Sequence, residues 1–356
     1  MTDAQMTALA ASTATAGEIL SSHLTAQAGA FLRALPQAVG EVGARPGSVA
    51  ASSAGTEDLL RAVRRIGGVL HTFAATFEPA WAQESRTELR WLLNLLAQEP
   101  GYVRRSARLL GALDTLSGAE PGSGLRGPGM LAGHAGAPKA RALLDRQLTL
   151  ARTRVHSSVL QELRSARLHA LADRMTLLVG EVPLLAQADG RAAVVLLPQA
   201  TAALAALGAG AERLPLHRAA TPYGGDGMRR LGSVPAARGA LDADALMAAD
   251  DEPWHQVRIL LKRARYALEV CARPAEGLDA LDVTLALHQD AADAAAHAAT
   301  AARTPRITPA TAYVLGVVHA DQRLEVEAAR YAFGRQWPDI SPSIDGWEEP
   351  PAPRMA

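Results

Sequence analysis

Cysteine is nearly absent: Cys271 is the one thiol in 356 residues, so no internal disulfide can form and a reducing compartment is expected. Aromatic residues make up only 4%, too few for a base-stacking platform, and nucleic acid is not an expected partner. Net charge is missing as well. Lys plus Arg number 36 and Asp plus Glu 36, so any anion site must be local rather than a property of the whole surface. No Gly-rich phosphate loop, HExxH pair or nucleophile elbow occurs, so no catalytic machinery is visible. The first thirty residues hold no Lys or Arg and lack the basic-then-apolar layout of a signal peptide. The longest apolar run, around 192–209, is interrupted by Pro198 and Gln199, which argues against a membrane span. A soluble cytoplasmic protein is expected.

What is abundant is Ala and Leu, within a 49% hydrophobic composition that can bury a substantial core and favours helices over strands. The expectation is all-α. Apolar residues recur at helical spacing from Ala16 to Val42, and again from Leu59 through Phe73 behind a capping Thr56. Further helices are read over 84–98, 102–116, 139–165, 166–179, 277–302 and 309–337. The Gly/Pro-rich stretch 117–138 separates a first half, 16–116, from a second, 139–338, and the segment 180–251 is mixed. Residues 1–15 and the Pro-rich acidic stretch 339–356 read as tails.

The most informative stretch is 253–272, whose two faces ask for different environments. Val257, Leu261, Ala264, Leu268 and Cys271 gather on one side of a helix. His255, Arg258, Lys262, Arg263, Arg265 and Tyr266 fall opposite. Like charges one turn apart repel by roughly a few tenths of a kcal/mol per pair, and an anion would relieve them. Asp250, Asp251 and Glu252 before Pro253 mark this as the helix start. Residues 56–73 are a weaker echo, with Arg64-Arg65 in the place of Lys262-Arg263, but with Glu57 and Leu60 where His255 and Arg258 stand.

The stretch His255-Gln-Val-Arg-Ile-Leu-Leu-Lys-Arg-Ala-Arg-Tyr resembles the central helix of the CHAD family, the conserved histidine α-helical domain. His288-Gln289-Asp290, the segment Arg152–Leu168 with His156 inside it, and Leu89-Arg90-Trp91-Leu92 resemble further motifs of that family, in order, over roughly 16–338. The resemblance implies two pseudo-symmetric antiparallel helical bundles around a basic central channel that binds inorganic polyphosphate. It implies no catalysis, cofactor or metal, and an association with polyphosphate granules. The matching positions are Arg64, Arg65 and Arg90 in the first half, and Arg152, His156, His255, Arg258, Lys262, Arg263, Arg265 and His288 in the second, with Tyr266 and Asp290 supporting them. Pro100-Gly101 departs from the family's usual Arg-Asp. If histidines line the channel, phosphate favours their charged form, and binding should tighten on acidification. The competing readings are a helical protein-interaction scaffold and a metal-dependent phosphoanhydride hydrolase.

Overall fold

The computed structural model describes residues 14–43, 54–118, 129–220, 240–273, 275 and 277–345, and among them all extended regular structure is helical. Helix α1, Ala16–Gly43, opens on a reciprocal cap: the Glu18 N–H donates to Thr15 Oγ1 while the Thr15 N–H donates to the Glu18 carboxylate. Helix α2 is Ala54–Thr72. It starts before Thr56, which is buried inside the helix rather than capping it. The expected tails and the centre of the expected hinge fall largely on 1–13, 119–128 and 346–356, outside the described residues, as does Tyr223–Gly227.

Two helices expected over 84–98 and 102–116 are one. Helix α3 runs Pro79–Ser117, capped by the Glu78 carboxylate, which accepts from the Ala80 and Trp81 N–H groups. A proline inside a helix removes one donor and crowds the preceding turn, and Pro100 signals an end there. Packing overrides it, because Leu92, Leu95 and Leu96 are buried in one apolar cluster and Leu109 and Leu113 in another, so each half of α3 is anchored separately.

Helices α4, Ala137–Glu162, and α5, Ala166–Gly180, follow as expected. The mixed segment resolves into α6, Ala186–Asp189, a 3-10 turn Ala193–Leu196, α7, Leu197–Glu212, and α8, Leu216–Ala219. Helix α7 with the preceding turn is long and apolar enough to cross a membrane by length and composition. Here Leu204, Leu207 and Ala211 lie in the core, and Gly210 lets Leu260 come so close that an added Cβ would sit 2.7 Å from it.

Helix α9, Ala240–Val270, carries the 253–270 stretch, but Pro253 lies inside it rather than at its start. The acids before Pro253 therefore do not serve as a cap. Asp251 accepts from Arg323 at 2.7 Å and Arg330 at 2.6 Å, both on α11, which runs Pro309–Asp345. Between them lies α10, Leu278–Ala302. Helix α11 continues past Trp337, where the Pro-rich composition suggests a stop, because Ile340 packs against the second apolar cluster.

Among the described residues, three large apolar clusters carry the fold. The first joins α1, α2 and the front of α3 to α5 and the end of α9; the second joins α7, α9, α10 and α11; the third joins the back of α3 to α4, α10 and α11. Helix α2 lies antiparallel to α9: Arg65 pairs with Glu269 at 3.0 Å, and three residues on, Gly68 meets Tyr266 three residues back. Gly68 is what allows this approach, since a Cβ there would lie 2.5 Å from the tyrosine ring.

Candidate functional site

At one end of the α2–α9 seam the structure opens a cavity of about 590 Å³. Helix α2 contributes Arg61, Arg64 and Arg65, α3 contributes Arg104, and α9 contributes Lys262 and Arg265, with Tyr266 between them. Their convergence follows from spacing: Arg61, Arg64 and Arg65 share one helix face, as do Lys262, Arg265 and Tyr266. Four carboxylates, Glu57, Glu269, Asp279 and Asp282, also line the wall, against seven cationic side chains once Arg273 is included. The cavity is therefore net cationic in a chain of zero formal charge.

Most of the cations are held by a carboxylate. Lys262 and Arg265 both donate to Asp282, at 2.9 and 2.6 Å, and Arg265 also pairs with Asp279. Arg104 meets Asp290 at 3.3 Å. Burial pushes the Lys262 ammonium below its ordinary pKa, Asp282 opposes that shift, and the Arg258 and Arg64 charges add to it. Arg64 is likewise lowered by burial, with repulsion from Arg258 and Arg104 acting in the same direction. Burial raises the Tyr266 hydroxyl, which stays protonated as a donor. The buried Nε atoms of Arg258 and Arg265 have no hydrogen-bond acceptor, so two donors in this group of cations are unsatisfied. A buried unmatched guanidinium N–H in a net positive surround is a place for an anionic oxygen.

Of the sequence-derived residues, Arg64, Arg65, Lys262, Arg265 and Tyr266 are brought together on the cavity wall, and Arg258 acts on Arg64 and Lys262 through its charge. Arg90 and Arg263 are elsewhere, close to Arg86 and His71 farther along the seam. Arg152 and His156 on α4 both reach Glu99, at 3.1 and 3.0 Å, one residue before Pro100, which lines the cavity. His255 meets the Gln289 carbonyl oxygen at 2.8 Å.

His288 lies in the core, not in the cavity. It is 2% exposed, stacks on Trp254 and accepts from Arg330 at 3.3 Å. Burial, with Arg330 adding to it, lowers its pKa to about 3. The expectation that this histidine gains charge beside phosphate near neutrality is thereby corrected: its imidazole is neutral, and burial and the Arg330 charge outweigh the nearby Asp251 carboxylate.

Sequence reasoning did not select Arg61, Arg104, Asp279 or Asp282 for the site. Arg61 was detectable from its spacing to Arg64 and Arg65 on one face. The acids come from α10, and nothing local in the chain links them to α9. The first-half departures Glu57, Leu60 and Pro100 all line the cavity, so they reduce the positive charge of that wall.

The sequence matches the family described as CHAD domain over residues 33–304. No curated protein matches the chain. Among solved structures it is similar to PptA from Streptomyces chartreusis, with 43% identity and a TM-score of 0.71, the match covering 91% of this chain and 100% of that one. With the basic α9 motif, the all-helical fold and a match across most of its length, this chain belongs to the CHAD family of polyphosphate-associated domains.

Proposed function

We propose that this protein binds inorganic polyphosphate in the cavity between α2, α3, α9 and α10, and holds it without cleaving it. The observation that carries this is the convergence of Arg61, Arg64, Arg65, Arg104, Lys262 and Arg265 from three helices on one cavity. Polyphosphate carries about one negative charge per phosphate and no bases, so its receptor needs closely spaced donors and little else. Arginine offers a planar fork to phosphate oxygens, while Lys262 supplies a compact charge. The site's carboxylates are engaged with guanidinium and ammonium groups, an arrangement suited to holding an anion and unsuited to gathering a divalent metal for hydrolysis. Granule association is the cellular setting this binding implies.

The test is retention on immobilised polyphosphate. Arg258→Ala combined with Lys262→Ala is expected to weaken retention by about tenfold or more, the scale of losing two charge-assisted phosphate contacts. Equal retention of wild type and double variant refutes the cavity as the binding site. In cells, a fluorescent fusion is expected to gather on polyphosphate granules and the double variant to spread through the cytoplasm.

A further inference from the structure

Helix α3 forms part of the cavity wall through Pro100 and Arg104, and the stretch that carries them has no seat in the core. Leu96 is the last buried side chain before it and Leu109 the first after it; from Ala97 to Arg108 every residue of α3 is half-buried or exposed. About three helical turns therefore pass the cavity without a core anchor. Tyr102 rests at the edge of the third cluster, with the Arg105 guanidinium 5.2 Å from its ring centre.

The backbone is weakest in the same place. Pro100 has no N–H to give the Leu96 carbonyl, and its ring disfavours helical geometry at Glu99. Gly101 follows, where an added Cβ would meet no atom within 4 Å, so no close approach requires a glycine there. Gly68 and Gly210, by contrast, each admit a neighbouring side chain. The two poorest helix formers thus stand side by side inside a helix, at a place where packing asks for neither.

Polar links hold the stretch instead. At its near end Glu99 is fixed to α4 by Arg152 at 3.1 Å and His156 at 3.0 Å, and at its far end Arg108 reaches Gln322 and Glu325 of α11. Helix α4 is a stiff frame alongside: Leu144 and Leu148 sit in the third cluster and Val159 in the first, with neither Gly nor Pro between them. Between the two fixed ends, ion pairs tie α3 to α10, Arg104 to Asp290 at 3.3 Å and Arg105 to Asp293 at 3.2 Å. The Arg104 side chain is 58% exposed and the buried Nε of Arg105 lacks an acceptor, so both ties are weak, and salt screens the exposed one.

We propose that residues 100–107 form a strap beside the cavity, hinged at Pro100-Gly101 and latched to α10 by Arg104 and Arg105, which opens to let a ligand in and out. This deepens the polyphosphate reading and rests on it only for the identity of what enters. Opening breaks two ion pairs and leaves the core in place, because Leu92, Leu95 and Leu96 stay in the first cluster and Leu109 and Leu113 in the third. The strap closes on an empty and a filled cavity alike. Its opening therefore scales entry and exit by the same factor and leaves the affinity unchanged.

The test has a ligand-free arm and a kinetic arm. In amide hydrogen exchange of the free protein, residues 101–107 are expected to exchange faster than 89–96 and 109–113, and faster again at high salt. Gly101→Ala slows that exchange. Asp293→Asn, which keeps an acceptor for Gln289, speeds it. In stopped-flow binding of long-chain polyphosphate, Gly101→Ala is expected to slow association and dissociation alike by about fivefold, the ratio carried by the helix propensities of glycine and alanine. Asp293→Asn quickens both by roughly two- to fivefold, the range of a solvent-facing ion pair. The dissociation constant stays at the wild-type value in each, which a purely structural effect on the site does not produce. Exchange at 101–107 that matches the flanking amides and ignores both substitutions overturns the strap, as do unchanged rates in both variants or a change confined to dissociation. If wild type fails to retain polyphosphate while exchange still responds to Gly101→Ala and Asp293→Asn, the polyphosphate reading fails and the strap stands.

Discussion

Asp282 is the residue whose role is least apparent from the sequence and most consequential in the structure. It sits between Lys262 and Arg265 as an internal anion, in the position relative to those cations that a phosphate oxygen takes in the proposed complex. Binding polyphosphate therefore requires exchanging one oxyanion for another at these two side chains. Asp282→Asn removes the competing charge and is expected to tighten polyphosphate binding by roughly tenfold, the ratio that about 1.4 kcal/mol carries. The folded state of the variant loses stability, because half-buried Lys262 loses its carboxylate partner and Arg265 one of its two. A binding titration checks it, and unchanged or weaker binding means that Asp282 does not contact the ligand's place. Lys262 and Arg265 were legible as candidates because they lie opposite an apolar stripe. Asp282 was not, since only the packing of α10 on α9 brings it to them.

At the scale of the helix, α3 shows where local propensity loses to tertiary contact. Pro100 predicts a break and the structure has none, since apolar side chains on both sides of it are seated in different clusters. A proline costs about 3 kcal/mol relative to alanine in a helix interior. Pro100→Ala is expected to raise stability by about 1–3 kcal/mol, less than the full amount because the helix is already formed around the ring. Urea unfolding measures this, and a loss of stability would show that the Pro100 ring packs on the cavity wall more productively than alanine does. The same conflict of scales appears at Pro253, where the sequence suggests a helix start and the structure continues through it.

Across the whole molecule, His23, His71, His288 and His297 share one direction of shift. Each is lowered from its ordinary value, with burial the largest cause. In the unfolded chain these imidazoles take protons near pH 6.5, whereas His71 and His288 in the folded chain resist protonation down to about 4 and about 3. The unfolded state therefore binds more protons in that interval, and stability falls as pH drops below about 6.5 and is level above it with respect to these groups. Melting curves from pH 7.5 to 4.5 check the sign; in His288→Gln the slope is expected to be shallower, and a stability that rises on acidification would contradict the burial of these rings. The salt dependence of binding also belongs to this scale. Counterion release makes log affinity fall linearly with log salt, and an affinity indifferent to salt is incompatible with a site of this kind.

The sequence by itself determined the helical class, the bounds of α1, α2, α4, α5 and α10 to within a few residues, and the basic stripe of α9, because these follow from local periodicity and composition. The resemblance carried by the same stripe led to the CHAD family, which the match over 33–304 establishes. Tertiary structure alone decided which charges meet. It placed Asp282 and Asp279 on the cations of α9, sent His288 to the core beside Trp254, and separated Arg90 and Arg263 from Arg64 and Lys262. The physical reason is range: helix formation depends on neighbours within a few residues, whereas a binding site depends on the distances between side chains that the chain brings together from far apart.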